Sequence, residues 1–416
     1  MPSFETKTIM EKRLWMFLLM VLSLAACGIE EVSRRPVLNR EDVWTGPGMD
    51  IGSSSKEVLY VTAFDYPNEY DWRTDPEKGA VKCSLVVFAD GLPMMKVPVG
   101  DSYLVSSDPD MHRMIDGHLY TDYSTDAETV IKKDGVTIVR YDAREVICGM
   151  IVQDDTLYTL GHPRSGEGFA LRRNGEVLLE RTSGRSTGRL QSDQGNICFA
   201  YIETISSGED IIERYYHYSG GKVVQVAVRD DVRKVWDMIS FNGEICYIAS
   251  LTGVGKPVLF MGSRTSALTM PEGALPLSFE FISDNKNLFW EGMFTSADMS
   301  LSSALWYAAG DCIAFDEGMQ SISCRISGDG INCVFNPSSL DGMIFRNGEE
   351  FPMPAGYAVM GAECAAVSGG ILHVGLSSAE GGRPVIWKDG IMDTLDIHGY
   401  IASVSVDQAS QESVLD

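Results

Sequence analysis

The sequence is poor in positive charge and in helical periodicity. Among its 416 residues, 34 Lys and Arg stand against 58 Asp and Glu, and the formal net charge is −24. A field of this sign repels nucleic acid, so we expect no nucleic-acid partner. Apolar residues at the spacing of an amphipathic helix are rare after the first few dozen residues, which argues against a mainly helical domain.

Motifs that carry chemistry are also scarce. The chain has no Cys-x-x-Cys pair and its six histidines are scattered, so we predict no metal and no cofactor. Gly184-Arg185-Ser186-Thr187-Gly188 matches the Gly-x-Ser-x-Gly pattern of a nucleophile elbow, but that elbow requires a following helix, and none is predicted here. We therefore interpret the segment as a loop and predict no catalytic residue.

Long apolar runs are missing as well. The uncharged run at residues 14–26 follows a charged segment and is too short to span a bilayer comfortably. It ends in Leu24-Ala25-Ala26-Cys27, which resembles the lipobox of bacterial lipoproteins. The resemblance implies that residues 1–26 are a signal peptide and that Cys27 carries the acyl chains that anchor the protein to a membrane.

The residues after Cys27 bear on sorting and on domain boundaries. Gly28 stands where an Asp would retain a lipoprotein in the inner membrane, so the resemblance favours an outer-membrane location. Glu30 and Glu31 resemble the acidic tract of surface-exposed Bacteroidetes lipoproteins, or they are two acidic residues of a solvated tether. The polar sequence over residues 27–55, with scattered Gly, Ser and Pro, predicts a lipidated Cys followed by a flexible tether.

What the chain does contain is a repeat. Eight segments share the outline of a short apolar strand that ends in polar residues and a Gly, and the best of them is residues 383–390. The terminal glycines lie 38 to 48 residues apart, at Gly91, Gly135, Gly175, Gly220, Gly262, Gly310, Gly348 and Gly390. This is the length of one four-stranded blade of a β-propeller.

The fifth repeat shows the predicted strand order best. Its first strand is predicted at about residues 235–241, followed by an Asn242-Gly243 hairpin turn and a second strand at residues 244–249. The third strand is predicted at residues 257–261 and the fourth at residues 267–270. A variable loop separates the second strand from the third in each repeat.

The two ends of the repeat region complement each other. The first repeat has no obvious first strand, and one extra strand, at residues 400–406, follows the last repeat. Strand exchange between the ends would close the ring and remove its edges. We therefore predict one all-β domain over residues 56–408, an eight-bladed propeller closed by the C-terminal strand, with a tail at 409–416. Seven blades remain the alternative if residues 207–218 or 293–305 are misread.

The turn motif itself carries a second resemblance. Trp387-Lys388-Asp389-Gly390 is complete, and Lys133-Asp134-Gly135, Arg173-Asn174-Gly175 and Arg346-Asn347-Gly348 keep only the turn. The pattern resembles the divergent propellers with a Trp-Lys-Asp/Asn-Gly repeat in secreted bacterial proteins, especially those of Bacteroidetes. The sequence has neither a Trp-Asp repeat nor a sialidase Asp-box. The resemblance implies an exported propeller.

Eight cysteines besides Cys27 are spread over the strand patterns, and we interpret them as small buried hydrophobic residues. Cys324 and Cys333 are the one local pair. They lie directly opposite each other if Gly328-Asp329 forms the turn, but diagonally if the turn is Asp329-Gly330. Because Asp-Gly is the stronger turn signal, we favour the diagonal arrangement and expect no disulfide.

Candidate binding residues come from the loops between second and third strands, which lie at one end of every blade. Arg164 and Glu167 in one such loop, with Trp290 and Glu291, have the charged and aromatic groups that recognise a sugar. The alternative is that the charged residues are solvated and that the Trp belongs to the core.

These observations together predict a lipid-anchored propeller at the bacterial cell envelope, in the outer membrane, with exposure at the cell surface left open. We predict a non-catalytic module that binds a glycan or an envelope protein. Two alternatives stay open, a glycan-cleaving hydrolase or lyase and a structural subunit of an outer-membrane complex, because a propeller fold by itself does not determine function.

Overall fold

The computed structural model describes most of the chain after residue 56. The described residues are 57–67, 83–99, 112–124, 128–141, 145–163, 167–207, 210–227, 231–270, 273–283, 288–295, 301–307, 311–314, 321–327, 330–335, 342–346, 349–368 and 370–408. They are nearly all in β-strands, and their helical content is one 3₁₀ helix at Ala362–Cys364. No helix in these ranges has the length and apolar character needed to cross a membrane.

The described strands form eight antiparallel sheets, sheet 1 to sheet 8 in chain order. Sheet 1 contains β1 (Glu57–Asp65), β2 (Cys83–Ala89), β3 (Leu92–Val99) and, from the other end of the chain, β34 (Gly399–Gln408). Sheet 2 contains β4 (His112–Ile115), β5 (His118–Ser124), β6 (Thr129–Lys133) and β7 (Val136–Tyr141). Sheet 3 contains β8 (Glu145–Gln153), β9 (Thr156–Pro163), β10 (Phe169–Arg173) and β11 (Glu176–Arg181). Sheet 4 contains β12 (Arg185–Ser186), β13 (Gln191–Asp193), β14 (Asn196–Ser207), β15 (Asp210–Ser219) and β16 (Lys222–Val226).

The second half of the chain repeats this plan. Sheet 5 contains β17 (Val232–Phe241), β18 (Glu244–Leu251), β19 (Val258–Met261) and β20 (Arg264–Ala267). Sheet 6 contains β21 (Leu275–Ser283), β22 (Leu288–Thr295), β23 (Leu301–Tyr307) and β24 (Asp311–Ala314). Sheet 7 contains β25 (Ser321–Ser327), β26 (Gly330–Phe335), β27 (Met343–Arg346) and β28 (Glu349–Pro352). Sheet 8 contains β29 (Tyr357–Ala358), β30 (Ala365–Ser368), β31 (Ile371–Ser378), β32 (Val385–Lys388) and β33 (Ile391–Thr394).

Each sheet is a meander whose first strand contacts the first strands of neighbouring sheets. Contacts of this kind link β34 with β4, β4 with β8, β13 with β17, β17 with β21, β21 with β25, β25 with β30 and β30 with β34. Repeated four-stranded sheets arranged in this way are β-propeller architecture. The prediction of an all-β chain of repeated four-stranded sheets is confirmed.

The strand ends define two opposite sides of every sheet. The tight turns after the first and third strands lie at one side, which we call the turn face. The loops after the second strand and the connections to the next sheet lie at the other, which we call the loop face. At the turn face, side-chain hydrogen bonds link sheets 3, 4 and 5. Gln153 Nε2 of sheet 3 donates to Gly195 O of sheet 4 (2.8 Å), and Asp193 Oδ2 of sheet 4 accepts a hydrogen bond from Gly243 N of sheet 5 (2.8 Å).

The polar residue before the turn glycine has a structural role. Asp90, Asp134 and Asn174 have φ angles of 47°, 50° and 48°, a left-handed conformation that Asp and Asn tolerate better than most residues. The Oδ1 atom of each also accepts a hydrogen bond from a second-strand amide, for example Leu157 N to Asn174 Oδ1 at 2.9 Å. The repeated Asp/Asn-Gly pair therefore bends the chain and satisfies a backbone donor.

The two ends of the propeller region meet in sheet 1. β1 pairs antiparallel with β34, from Glu57 opposite Gln408 to Asp65 opposite Gly399, with an irregularity after Thr62. The predicted extra strand at residues 400–406 thus exists as β34 and takes the innermost position beside β1. Glu57 lies at the turn face, because the β2–β3 turn is next to the start of β1 (Asp90 N to Leu59 O, 2.9 Å).

Buried aromatic side chains fill the space between neighbouring sheets. Phe351 of sheet 7 meets Trp387 of sheet 8 with ring centroids 5.5 Å apart, and Phe169 of sheet 3 meets Phe199 of sheet 4 at the same distance. Such aromatic pairs contribute beyond the area that they bury. The Trp of the one complete repeat motif is therefore a core residue between sheets.

A buried ion pair reinforces the junction of sheets 2 and 3. Arg172 Nη2 donates to Glu145 Oε1 at 2.6 Å, and its Nε donates to Glu145 Oε2 at 3.3 Å. The guanidinium also lies 4.1 Å from the ring centre of Tyr141, the last residue of sheet 2. The fork of donors satisfies both carboxylate oxygens, so neither charge is buried without a partner.

Three details of the sequence prediction are wrong. The fourth strand of the fifth repeat is β20 (Arg264–Ala267), directly after the turn, whereas residues 267–270 were predicted. Residues 206–214 were predicted as a long loop between the second and third strands, but β14 reaches Ser207 and β15 begins at Asp210, directly opposite it. Cys324 lies directly opposite Cys333, with Ser327 opposite Gly330, so the register is the one that we disfavoured.

Candidate functional site

A groove of about 470 Å³ opens on the loop face of sheets 4, 5 and 6. Its size is in the range of ligand sites for small molecules or a few sugar units. The groove is lined by Arg185, Ile202, Glu213, Arg233, Lys234, Val235, Trp236, Leu277 and Ser278. We call this set the loop-face groove.

The long hairpin of sheet 4 forms one wall of the groove. β14 and β15 stay paired from Cys198 opposite Ser219 to Ser207 opposite Asp210, beyond the short β16 that flanks them. The hairpin contributes Ile202 and Glu213 to the wall. The start of β17 forms the floor and the start of β21 closes the far side, so three sheets build one site.

Lys234 is held in the groove by an aromatic ring. Its Nζ lies 3.5 Å from the ring centre of Trp236, a cation–π contact. The indole is fixed in turn, because its Nε1 donates to Ser250 Oγ at 2.9 Å and its ring meets Phe279 edge-on with centroids 5.8 Å apart. Partial burial lowers the pKa of Lys234, an effect that Glu213 opposes and Arg185 reinforces.

The groove has an excess of cations. Among the described residues that line it, Arg185, Arg233 and Lys234 face a single carboxylate, Glu213. Arg185 Nη2 lies 3.5 Å from Glu213 Oε1, and the other oxygen of Glu213 accepts a hydrogen bond from the Tyr215 hydroxyl. Burial, followed by this contact, raises the pKa of Tyr215 to about 12, so the hydroxyl keeps its proton and donates at neutral pH.

A second charged group lies on the first strands of the same sheets. Arg189 contacts Asp237 Oδ2 at 3.1 Å and Glu280 Oε1 at 2.8 Å, which joins sheets 4, 5 and 6. Asp237 also accepts Met238 N (2.8 Å) and Phe281 N (2.7 Å). Burial raises the pKa of the Asp237 carboxyl, and Arg189 opposes that rise. Both oxygens of Asp237 already have protein donors, so this carboxylate has a structural role.

A further cavity of about 370 Å³ lies among the first strands of sheets 1, 2 and 3, with Glu363 on its rim. His112 lines it and is buried, and neither ring nitrogen has a hydrogen-bond partner in the part of the chain that the structure describes. Its ring meets Phe64 edge-on, with centroids 5.2 Å apart. His118, in the same sheet as His112, does not line this cavity. Its Nδ1 lies 2.7 Å from Oδ2 of Asp134, in the turn between β6 and β7. The two histidines therefore do not share a site.

The predicted binding residues are dispersed. Arg164 and Cys27 lie outside the described residues. Trp290 is 2% exposed and packs against Phe281 in the core, which leaves no ring face open to a ligand, so we exclude it from the site. Glu291 is half-buried in β22, opposite Glu280.

Glu167 is the predicted residue that comes nearest to the groove. It is exposed at the loop face of sheet 3, and the next residue, Gly168, donates its amide to Gly184 O at 2.9 Å. Gly184 directly precedes Arg185 of the groove. The loop before β10 and the segment that leads into β12 are thus joined by a hydrogen bond at the edge of the site.

The nucleophile-elbow motif is a strand and a turn. Arg185 and Ser186 form β12 and no helix follows before β13, which confirms that the segment is not an elbow. Ser186 Oγ lies 3.7 Å from Cys148 Sγ. A serine next to a thiol has no general base to activate it in this arrangement.

Sequence reasoning missed Lys234 and Trp236, although one signal was present. The predicted first strand of the fifth repeat began at residue 235, and the two cations before it were left out. The structure starts β17 at Val232, so Arg233 and Lys234 are strand residues beside Trp236. Consecutive cations inside an innermost strand would have indicated a site, since such strands are normally apolar.

Comparisons with known proteins give structural similarities alone. No family model matches the sequence, and no curated protein matches it. A puromycin-hydrolysing peptidase from Mycobacterium tuberculosis has 7% identity and a TM-score of 0.45 over 71% of this chain and 55% of its own. The β-propeller domain of the trilobed protease from Pyrococcus furiosus has 10% identity and a TM-score of 0.41, covering 67% and 92%. TolB from Acinetobacter baumannii has 11% identity and a TM-score of 0.35, covering 83% and 82%.

The match with the peptidase spans about half of that enzyme's length. At TM-scores below 0.5, none of these similarities carries an argument about what this chain binds or does.

Proposed function

We propose that this protein is an exported, lipid-anchored β-propeller that binds a glycan or an envelope protein at the loop-face groove, without catalysis. The observation that carries the proposal is the groove itself, where Arg185, Arg233 and Lys234 surround one carboxylate beside an immobilised Trp236. Fixed polar groups in a concave site are typical of ligand recognition.

We propose that the propeller has eight blades, one for each sheet, and that β34 closes the ring. The pairing of β1 with β34 supports closure, as do the contacts of β34 with β30 on one side and β4 on the other. The two segments that left seven blades open, residues 207–218 and 293–305, contribute strands to sheets 4 and 6. The proposed domain covers residues 56–408, with a short tail after it.

We propose that residues 1–26 are a signal peptide, that Cys27 is acylated and that residues 28–55 are a tether to the outer membrane. The lipobox resemblance supports the anchor. The tether would join the domain at the turn face, where β1 begins. The loop-face groove lies at the opposite edge, so an anchored molecule presents it away from the membrane.

The anchor is tested by changing Cys27 to Ala in the full chain. We expect the variant to lose its acyl chains and to be recovered in the aqueous phase or as an unprocessed precursor, because the acyl chains on Cys27 are the proposed attachment of the mature protein to the membrane. Detergent phase partitioning and intact mass measure this. Partitioning identical to that of the parent protein contradicts the lipoprotein proposal.

A binding role is favoured over glycan cleavage by the chemistry of the groove. Canonical glycoside hydrolysis uses two carboxylates, and Glu213 is the single one among the described residues that line the groove. The nearest pair of carboxylates in neighbouring first strands, Asp237 and Glu280, is bonded to Arg189. Their ion pairs with Arg189 give these two carboxylates a structural role.

One observation favours a structural subunit as the second candidate. Apolar residues just after the turns of the outermost strands are exposed in consecutive sheets, with Leu92 at 61%, Val136 at 67%, Val177 at 46% and Ile391 at 64%. Exposed apolar rims mark protein contacts when they are contiguous. A stable protein partner that buries these residues would favour an assembly role.

Binding is tested on the Cys27→Ala chain with a glycan array, a pull-down from envelope extracts and a reducing-end assay on every glycan that binds. We expect binding without turnover. Turnover of a bound glycan would support the hydrolase or lyase, and a stoichiometric protein complex without a glycan signal would support the subunit. Absence of both glycan and protein binding would overturn the proposal.

A further inference from the structure

We infer that the loop-face groove recognises an acidic saccharide, one that carries carboxylate groups beside its hydroxyl groups. This inference rests on the proposed function and specifies the class of ligand.

The sign of the local charge is the first argument. The chain has a formal net charge of −24, yet the described residues that line the groove include three cations and one carboxylate. Among the described residues Arg233 has no ion-pair partner, and Lys234 has its contact with the Trp236 ring in place of one. A local cationic site on an acidic surface attracts an anionic group that the rest of the molecule repels.

The second argument is that one cation is held in position before any ligand binds. The Trp236 ring, fixed by Ser250 and Phe279, holds the Lys234 ammonium over the groove. A flexible lysine loses rotamer entropy when it binds a ligand, and a lysine already ordered loses less. The ammonium is therefore arranged to form a charge-assisted hydrogen bond with a carboxylate.

The third argument separates a saccharide from an acidic peptide. Glu213 stands among the cations, held by Arg185 and by the Tyr215 hydroxyl. A carboxylate at this point accepts hydrogen bonds from sugar hydroxyl groups, which the acidic side chains of a peptide lack. The Ser278 hydroxyl adds a group that donates and accepts. This mixture of cations, acceptor and hydroxyl matches a polyol that bears acid groups.

The test uses the full Cys27→Ala chain and two matched probes. One probe is an oligosaccharide of uronic acid units, and the other is the same oligosaccharide with its carboxyl groups reduced to alcohols. Lys234→Gln removes the positioned charge, and Lys222→Gln on exposed β16 at the turn face makes the same charge change away from the groove. Calorimetry gives the affinities, and thermal unfolding checks that each variant is folded.

We expect the acidic probe to bind at least tenfold more tightly than the reduced probe. Lys234→Gln should weaken binding of the acidic probe about tenfold, the equivalent of one charge-assisted hydrogen bond, and leave the reduced probe unaffected. Lys222→Gln should change neither affinity. Added salt should weaken the binding of the acidic probe more than that of the reduced probe, because the charges in the groove are partly exposed to solvent.

Other results separate this inference from the proposed function. Equal affinities of the parent and Lys234→Gln for the acidic probe, or equal affinities of the two probes, would overturn the acidic-saccharide inference while binding itself stands. Displacement of the saccharide by an oligoglutamate peptide at equal affinity would overturn it in favour of an acidic peptide. Failure to bind any glycan or envelope protein would overturn the proposed function as well.

Discussion

At the scale of single residues, the turn after the third strand of sheets 1, 2 and 3 depends on a side chain as much as on a bend. Asp90, Asp134 and Asn174 adopt positive φ and cap a second-strand amide through Oδ1. Glycine in their place would keep the bend and lose the cap, and alanine would lose both. The sequence repeats Asp or Asn here because those residues supply both properties.

Substitutions of Asn174 should lower the free energy of unfolding in a definite rank order. Asn174 is exposed and is not among the residues that line the loop-face groove. Asn174→Asp should leave the free energy of unfolding nearly unchanged, because it keeps the acceptor. Asn174→Gly should lower it by about 1 kcal/mol, the contribution of one hydrogen bond. Asn174→Ala should lower it by about 2 kcal/mol, since a left-handed backbone adds its own cost. Urea unfolding measures the series, and an alanine variant as stable as the glycine variant would contradict it.

His112 shows the opposite case, a polar residue whose ring nitrogens have no hydrogen-bond partner among the described residues. It is buried at the junction of sheets 1 and 2, against the edge of Phe64. Burial lowers its pKa to about 4 from an ordinary 6.5, because the imidazolium would lose its hydration. The unfolded chain binds a proton in that interval and the folded chain does not.

The folded protein should therefore lose stability as the pH falls from about 6.5 to about 4. Below that range His112 should cause no further loss. The full contribution of His112 is about 3 kcal/mol, from 1.36 kcal/mol for each unit of pKa difference. His112→Phe should remove this part of the pH dependence. Urea unfolding at several pH values measures it, and a variant whose profile runs parallel to that of the parent would contradict the assignment.

At the scale of elements, neighbouring sheets interlock where their backbones come unusually close. Gly168 in sheet 3 donates to Gly184 O at the entrance to sheet 4. Gly184 has a φ of +86°, and a Cβ there would lie 2.5 Å from Ile202 O. Because the obstacle is backbone of the groove hairpin, it cannot move aside as a flexible side chain would.

Gly184→Ala is thus expected to lower the free energy of unfolding by more than about 2 kcal/mol, through strain at positive φ and through displacement of the hairpin. Gly195→Ala is the matched control. Its φ is +75°, but a Cβ there meets nothing within 4 Å. The control should cost about 1 kcal/mol, from φ alone. Equal losses for the two variants would show that the close approach at Gly184 is unimportant.

At the scale of the whole molecule, the fold depends on contact between the two ends of the described chain. β34 covers the inner edge of sheet 1 and places Tyr400, Ile401 and Val404 in the core. Without it, β1 would expose a row of unpaired amides and carbonyls, and the proposed ring of sheets would have two open ends. In the proposed closed ring, the unfolding of each sheet depends on the others.

Truncation after Gly399 should lower the free energy of unfolding by several kcal/mol, because three buried apolar side chains at about 2 kcal/mol each and a full strand of hydrogen bonds are lost. Truncation after Gln408 is the control, since it leaves β34 intact. Thermal unfolding compares the two. A melting temperature unaffected by the longer deletion would rule out a stabilising role for β34.

Local patterns predicted the repeat well and the site poorly. The spacing of the turn glycines predicted the repeated sheets, and the predicted extra strand at residues 400–406 is present. Both predictions worked because a turn or a strand is encoded by a few adjacent residues. Trp290 was selected as an accessible aromatic, yet it is buried. Trp236 was not selected, although it holds Lys234 in the groove. Whether an aromatic side chain is buried depends on the neighbouring sheet, which its own repeat does not contain.

By itself, the sequence determined the all-β architecture, the turn chemistry and the candidate anchor, because each depends on residues adjacent in the chain. The tertiary structure decided the register of Cys324 and Cys333 and the interlock of Gly168 with Gly184. It also brought Arg185, Glu213 and Lys234 from two different sheets into one groove. The Cys324–Cys333 register is set within one hairpin, where two turns compete, whereas the groove and the Gly168–Gly184 contact arise where neighbouring sheets pack side by side. No local pattern specifies which side chains of two packed sheets then face each other.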